Sequence, residues 1–121
     1  MVIYFTIMQD IDAIYYNQFG ITFKWKNNTD KDLSKVQMVF RDTGLLLTME
    51  ELLQFSKNIK CSLDNASLCP DCEVSETCRA LLLDTPAHQV SLAMSKKELL
   101  AVDDLVAGTL FELNLSRLLD L

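Results

Sequence analysis

Residues 40–53 read F-R-D-T-G-L-L-L-T-M-E-E-L-L, and this stretch contains the signals of a hairpin followed by a helix. Its first half predicts a short hairpin, with strands at 36–41 and 45–47 separated by Asp42-Thr43-Gly44. Gly44 is the residue that we expect to take a positive φ, because glycine adopts that conformation without steric strain.

The second half of this stretch predicts the start of a helix. Thr48 and Glu51 have the spacing of a capping box, in which each side chain accepts a hydrogen bond from the other residue's backbone amide. The apolar residues that follow have helical spacing: Leu52, Phe55, Ile59 and Leu63. We expect the helix to fade near Lys60, so the first hairpin–helix unit spans residues 35–60.

A second stretch repeats this plan. Strands are predicted at 79–84 and 89–94, around Thr85-Pro86-Ala87-His88, and Ser95-Lys96-Lys97-Glu98 forms a second capping box. A long helix follows, so the second unit spans residues 79–121. We interpret the two ββα units as an internal pseudo-repeat. A chance likeness of two hairpin–helix units is the alternative at this chain length.

Two further strands precede these units. Residues 11–16 and 19–25 are rich in β-branched and aromatic side chains, and Ile21, Phe23 and Trp25 alternate with polar residues as in a half-buried strand. The chain of 121 residues is therefore predicted to be a single α+β domain. About six strands should form one antiparallel sheet with two helices on one face, in the order ββ-ββα-ββα.

The last helix is apolar on more than one face. Its main stripe is Leu99, Val102, Leu105, Val106, Leu110, Leu113 and Leu118. Apolar residues also fall off this stripe or at its edge: Leu100, Leu105, Phe111, Leu115, Leu119 and Leu121. Such a helix either lies centrally in the domain or forms an oligomer interface. For so small a domain we expect a homodimer.

The chain is acidic, with a net charge of −6 and a pI of about 4.6. Lys and Arg do not cluster, which disfavours binding to nucleic acid or to an anionic membrane surface. The apolar N-terminus lacks the basic region and cleavage site of a signal peptide, and no run of about 18 apolar residues predicts a transmembrane helix. We expect a cytoplasmic protein whose translation starts at Met1 or, as a hypothesis, at Met8.

Residues 40–53 and 81–105 resemble a family of small uncharacterised bacterial proteins found mainly in Bacteroidetes. The likeness rests on Thr85-Pro86, on the strand Q-V-S-L-A-M-S at 89–95 and on the helix K-E-L-L-A-V at 97–102. It covers most of the chain, and it implies a fold plan but no activity.

Some relatives carry a Cys-x-x-Cys pair just before the strand that corresponds to residues 36–41. This chain has Lys31-Asp32-Leu33-Ser34-Lys35 at that place. The resemblance therefore implies no metal site there.

All the cysteines lie between the two hairpin–helix units: Cys61, Cys69, Cys72 and Cys78. Four thiolates can enclose a tetrahedral Zn²⁺, and the Cys69-Pro70-Asp71-Cys72 knuckle lets two sulfurs face one ion. The knuckle resembles that of rubredoxins and zinc ribbons, although Glu73 stands where those usually have glycine. The loop 61–78 is long for a connection without structure of its own. We expect a structural Zn²⁺ site that pins this loop.

Other uses of the same cysteines stay open. Four cysteine thiolates with short spacings also hold iron–sulfur clusters, but the acidic residues around the knuckle disfavour a reduced cluster. Reduced thiols without metal, or a disulfide, are the remaining alternatives. Basic residues close in sequence could offset the charge of a four-thiolate site: Lys57, Lys60 and Arg79.

Signals of catalysis are weak. The single histidine, His88, is expected in a solvent-facing turn, and the Asp103-Asp104 pair points in two directions on a helix. The leading hypothesis is a non-enzymatic interaction module with an unidentified protein partner and a structural metal site. The alternatives are a redox or iron–sulfur protein, and a metal-free homodimeric structural protein.

Overall fold

The computed structural model describes residues 11–26, 34–65 and 78–119. Within these ranges the chain is α+β, as predicted, and its helices are α1 (Met49–Asp64) and α2 (Lys96–Leu119). The strands are β1 (Ile11–Tyr16), β2 (Gly20–Trp25), β3 (Val36–Phe40), β4 (Thr43–Leu47), β5 (Leu81–Asp84) and β6 (Ser91–Met94). Neither described helix combines the length and apolar composition needed to cross a bilayer.

The described strands form two antiparallel sheets, so the prediction of one sheet of about six strands is wrong. The larger sheet has the order β1-β2-β3-β4, and among the described strands β5 pairs with β6 alone. Side chains of α1 occupy the outer edge of β5: Asn58 Nδ2 donates to Asp84 O at 2.8 Å, and Ser62 Oγ donates to Leu82 O at 3.1 Å. Because the helix takes these carbonyls, no strand of the larger sheet pairs there.

Both helices pack on one face of the larger sheet. Val36, Met38 and Phe40 alternate along β3 into a buried cluster. The helical members of the same cluster are Leu52, Phe55, Ile59, Leu99, Val102, Leu105 and Val106. The packing of this cluster holds the helices against the sheet. Replacing one of its buried Phe residues by Ala typically lowers the free energy of unfolding by about 3–5 kcal/mol.

The turn between β3 and β4 lies earlier than predicted. The ladder register leaves Arg41-Asp42 as the loop and places Gly44 inside β4, opposite Val39. Arg41 has a φ of 54°, and no glycine in the described ranges has a positive φ, so the prediction for Gly44 is wrong. A non-glycine residue with a positive φ typically destabilises the fold by about 1–2 kcal/mol. The Arg41 guanidinium lies 5.8 Å from the centre of the Phe19 ring, which helps to offset that cost.

Both predicted capping boxes are confirmed. Glu51 N donates to Thr48 Oγ1 at 3.1 Å, and Thr48 N donates to Glu51 Oε1 at 2.9 Å. Ser95 and Glu98 form the same reciprocal pair at 3.1 and 2.9 Å. Each helix therefore follows a hairpin and starts with the same local contacts, while a true internal repeat stays an interpretation.

The first helix is longer than predicted. It continues past Lys60 to Asp64, and both the backbone and the side-chain nitrogens of Asn65 donate to Cys61 O. These bonds satisfy a carbonyl that the last turn would otherwise leave without a partner. Cys61 therefore lies in α1 and not at the start of a loop.

Candidate functional site

The structure describes two of the four predicted zinc ligands. Cys61 is exposed on the last turns of α1, and Cys78 is partly buried just before β5. Cys69 and Cys72 lie outside the described residues, so the four-thiolate set stays a prediction. Among the described residues, no three His, Cys, Asp or Glu side chains are grouped closely enough to hold a metal ion.

Basic residues that were expected near the cysteines pair with helix α2 instead. Lys60 Nζ donates to Asp103 Oδ1 at 3.0 Å, which joins α1 to α2. Arg79 donates to both carboxylate oxygens of Glu98, from Nε at 3.0 Å and from Nη2 at 3.2 Å. These cations are therefore engaged by carboxylates.

Glu98 is the centre of a charged cluster that joins three parts of the fold. Besides Arg79, it contacts Arg41 Nη1 at 3.2 Å and accepts from the Ser95 amide at 2.9 Å. Arg41 comes from the β3–β4 turn, Arg79 from the segment before β5, and Glu98 from the first turn of α2. One carboxylate thus ties the larger sheet and the approach to the smaller sheet to the same helix end.

Burial and pairing act in opposite directions on Glu98. Its partial burial alone would raise its pKa, but the Arg79 hydrogen bonds, the Ser95 amide and the charge of Arg41 together outweigh that effect. The pKa of Glu98 is therefore lowered, and the pKa of Arg79 is raised by the same hydrogen bonds. Both changes favour the ionised pair.

A groove of about 640 Å³ lies beside this cluster, lined in part by Phe19, Arg41 and Lys97. At its other end Asp104 Oδ2 accepts from Tyr15 at 3.0 Å and from Asn17 at 2.9 Å. The Asp104 hydrogen bond raises the pKa of Tyr15, and desolvation adds to it. These bonds attach the β1–β2 turn to α2.

The remaining candidates behave as expected from the sequence. His88 is exposed, and it lines a polar groove of about 470 Å³ together with Glu50, Glu51 and Asp84. Asp103 and Asp104 diverge, because one carboxylate faces Lys60 and the other faces the β1–β2 turn. Neither arrangement places a base beside a nucleophile.

Helix α2 carries apolar residues on two opposite faces, of which one is buried and the other is exposed. Its buried face comprises Leu99, Val102, Leu105, Val106 and Thr109. On the opposite side Leu100, Phe111 and Leu118 are 51%, 64% and 60% exposed. The assignment of Leu118 to the buried stripe is therefore wrong. Because the end of the helix is exposed from Asn114 onward, α2 does not lie centrally in the domain.

We call the outer face of this helix the α2 seam. All its members are exposed: Leu100, Asp104, Ala107, Phe111, Asn114 and Leu118. An apolar groove of about 400 Å³ runs beside the seam, between Met49 and Leu53 of α1 and the residues around Leu110 of α2. The apolar members of the seam and this groove lie side by side on α2, opposite the buried residues of that helix.

Sequence reasoning missed the cluster of Arg41, Arg79 and Glu98. The capping box identified Glu98 as a partner of Ser95, but no spacing connects two arginines from different units to one carboxylate. It did identify the second apolar face of α2, from the excess of apolar residues over what one stripe needs.

Comparisons of the chain with protein-family models, with curated proteins and with solved structures found no match. The resemblance to small bacterial proteins therefore stays a prediction.

Proposed function

We propose that this protein is a non-enzymatic interaction module that acts through the α2 seam, and that its partner is a second copy of the same chain. The observation that carries the proposal is the exposure of Leu100, Phe111 and Leu118 on a helix whose other face is already buried. Large apolar side chains that line up along one helix face typically mark an association surface.

The chemistry of the seam favours a second copy as its occupant. Its polar members are a carboxylate, Asp104, and a carboxamide, Asn114, and a carboxamide can donate a hydrogen bond to a carboxylate. The seam therefore holds both the donor and the acceptor of this polar interaction.

The test is the mass of the full chain by sedimentation equilibrium, for the wild type and for Phe111→Glu. We expect the wild type to have twice the chain mass of 13.8 kDa and Phe111→Glu to be a monomer at the same concentration. Leu82→Glu is the matched control, because Leu82 is 67% exposed but lies on β5. A monomeric wild type, or a dimer that survives Phe111→Glu, would overturn the proposal.

We further propose that Cys61, Cys69, Cys72 and Cys78 hold a structural Zn²⁺ and that the protein is cytoplasmic, where thiols stay reduced. Cys61 and Cys78 lie at the two ends of the intervening segment. Ser62, next to Cys61, donates a hydrogen bond to the carbonyl of Leu82 in β5. A metal ion bound there would link the end of α1 to the segment that precedes β5.

Elemental mass spectrometry of the anaerobically purified full chain tests the proposed zinc site. We expect about one zinc per chain, with loss of zinc and a lower Tm in Cys69→Ser/Cys72→Ser. Detection of iron together with sulfide would overturn the zinc site and support the iron–sulfur alternative. A metal-free protein would overturn the site and leave the self-association proposal in place.

A further inference from the structure

The spacing of the α2 seam defines a helix pair. Its six members succeed one another at alternating intervals of four and three residues, beginning at Leu100 and ending at Leu118. An interval of four followed by one of three gives the seven-residue repeat of a coiled-coil seam, and the seam is about 27 Å long. A straight helix with such a repeat presents one continuous line of side chains to a neighbouring helix.

The seam is also symmetric about the position of Thr109. Leu100 and Leu118 lie nine residues on either side of it, Asp104 and Asn114 lie five, and Ala107 and Phe111 lie two. A twofold axis perpendicular to an antiparallel helix pair would bring the two members of each set together, because such a pair runs in opposite directions.

Each of the three resulting contacts is complementary. Leu100 meets Leu118 of the second copy, which is an apolar pair. Asp104 meets Asn114, whose amide can donate to Asp104 Oδ1, since the hydrogen bonds from Tyr15 and Asn17 both use Oδ2. Ala107 meets Phe111, so a small side chain faces a large one and both helix backbones can approach closely.

A parallel pair would be much poorer. In register it would oppose Asp104 to Asp104 and Phe111 to Phe111 of the two copies, and like carboxylates at a closed contact repel.

We infer that two copies of this chain associate through an antiparallel α2–α2 contact in which Leu100, Asp104 and Ala107 face Leu118, Asn114 and Phe111 of the second copy. This inference rests on the proposed function, and it adds the orientation and register of the contact.

The first test compares two double variants of the full chain that differ in one charge sign. In Leu100→Glu/Leu118→Lys the antiparallel register opposes Glu to Lys, whereas a parallel register opposes like charges. In Leu100→Lys/Leu118→Lys both registers oppose like charges. Both positions are exposed, so we expect folding to be unaffected, which circular dichroism checks.

We expect the Glu/Lys variant to dimerise at least about tenfold more tightly than the Lys/Lys variant by sedimentation equilibrium, and less so at high salt. Equal dimerisation of the two variants would overturn the antiparallel register. If wild type is dimeric and Phe111→Glu is monomeric at the same time, the proposed function stands while this inference fails.

A photo-crosslink keeps the inference testable when both double variants are too weak to compare. Leu118 is replaced by p-benzoylphenylalanine in the otherwise native chain, and the crosslinked dimer is digested with trypsin. We expect tandem mass spectrometry to place the label at Leu100 or a residue next to it, within the peptide 98–117 of the second copy. Attachment at Asn114, Leu115 or the peptide 118–121 of the second copy would indicate a parallel pair and overturn the inference.

Discussion

Arg79 donates to both oxygens of Glu98, from Nε at 3.0 Å and from Nη2 at 3.2 Å, and so fixes the approach to β5 against the first turn of α2. The same carboxylate contacts Arg41 and caps its own helix through Ser95. Because a bidentate guanidinium–carboxylate pair fixes direction as well as distance, this cluster orients α2 relative to both sheets.

Replacing Glu98 by Gln should destabilise the fold through the lost arginine contacts. Glutamine keeps the capping interaction with Ser95, so Glu51→Gln in the other capping box is a matched control without an arginine partner. We expect Glu98→Gln to lower the free energy of unfolding by about 1–2 kcal/mol more than Glu51→Gln in urea titrations. Equal losses would show that the arginines contribute no stability.

The same pair predicts how stability depends on pH. The pKa of Glu98 is lowered from its ordinary value of 4.5, so the ionised form stabilises the fold above that value and the contribution is lost as pH falls through the folded-state pKa. In urea titrations at a series of acidic pH values, the difference in free energy of unfolding between wild type and Glu98→Gln should therefore become smaller as pH falls. A difference that stays constant to the lowest pH would contradict this.

Tyr15 should ionise at a higher pH in the folded protein than an unperturbed tyrosine does. Its hydrogen bond to Asp104 raises its pKa above 10.0, so the stability that this bond provides is present below pH 10.0 and lost as pH rises through the folded-state pKa. Ultraviolet titration should lose the transition that lies above pH 10.0 in Tyr15→Phe, and Tyr16→Phe is the control. Asp104→Asn should move that transition to lower pH, and an unmoved transition would exclude Asp104 as the cause.

Replacing Gly108 by alanine should lower the stability of the protein, although alanine is the better helix former. A Cβ at this position would collide with the ring of Tyr15, which lies across α2. We expect Gly108→Ala to destabilise the protein by about 1–3 kcal/mol in thermal or urea unfolding.

The control for this prediction removes the obstacle. In a Tyr15→Ala background, Gly108→Ala should become neutral or stabilising by up to about 1 kcal/mol, because only helix propensity then remains. If Gly108→Ala destabilised both backgrounds equally, the close approach of the ring would not be the reason for the glycine.

Local contacts explain the parts of the fold that could be predicted. The two capping boxes connect residues three apart, so the local sequence is enough to predict them. The strand at residues 20–25 was also predicted, but the expected alternation of burial is wrong, because Thr22 and Phe23 are both buried. The second apolar face of α2 was visible for the same reason, because a helix of known period distributes its own side chains.

The turn and the sheets could not be predicted, because distant contacts decide them. Arg41 takes the positive φ where Gly44 was expected, in a place where Phe19 and Glu98 hold its side chain. The smaller sheet ends at β5 because Asn58 and Ser62 of α1 bond its outer carbonyls. Neither partner is near in sequence, so spacing carries no signal.

The capping boxes and the spacing of apolar residues are enough to predict where the helices begin and that α2 is apolar on two sides. They do not show which of those sides is covered: in the fold, the sheet and α1 enclose Leu99, Val102 and Leu105, while Leu100, Phe111 and Leu118 are left in contact with solvent. Burial depends on which elements pack against the helix, and packing brings together residues far apart in the chain, as Thr22 and Thr109 show with their buried hydrogen bond at 2.6 Å.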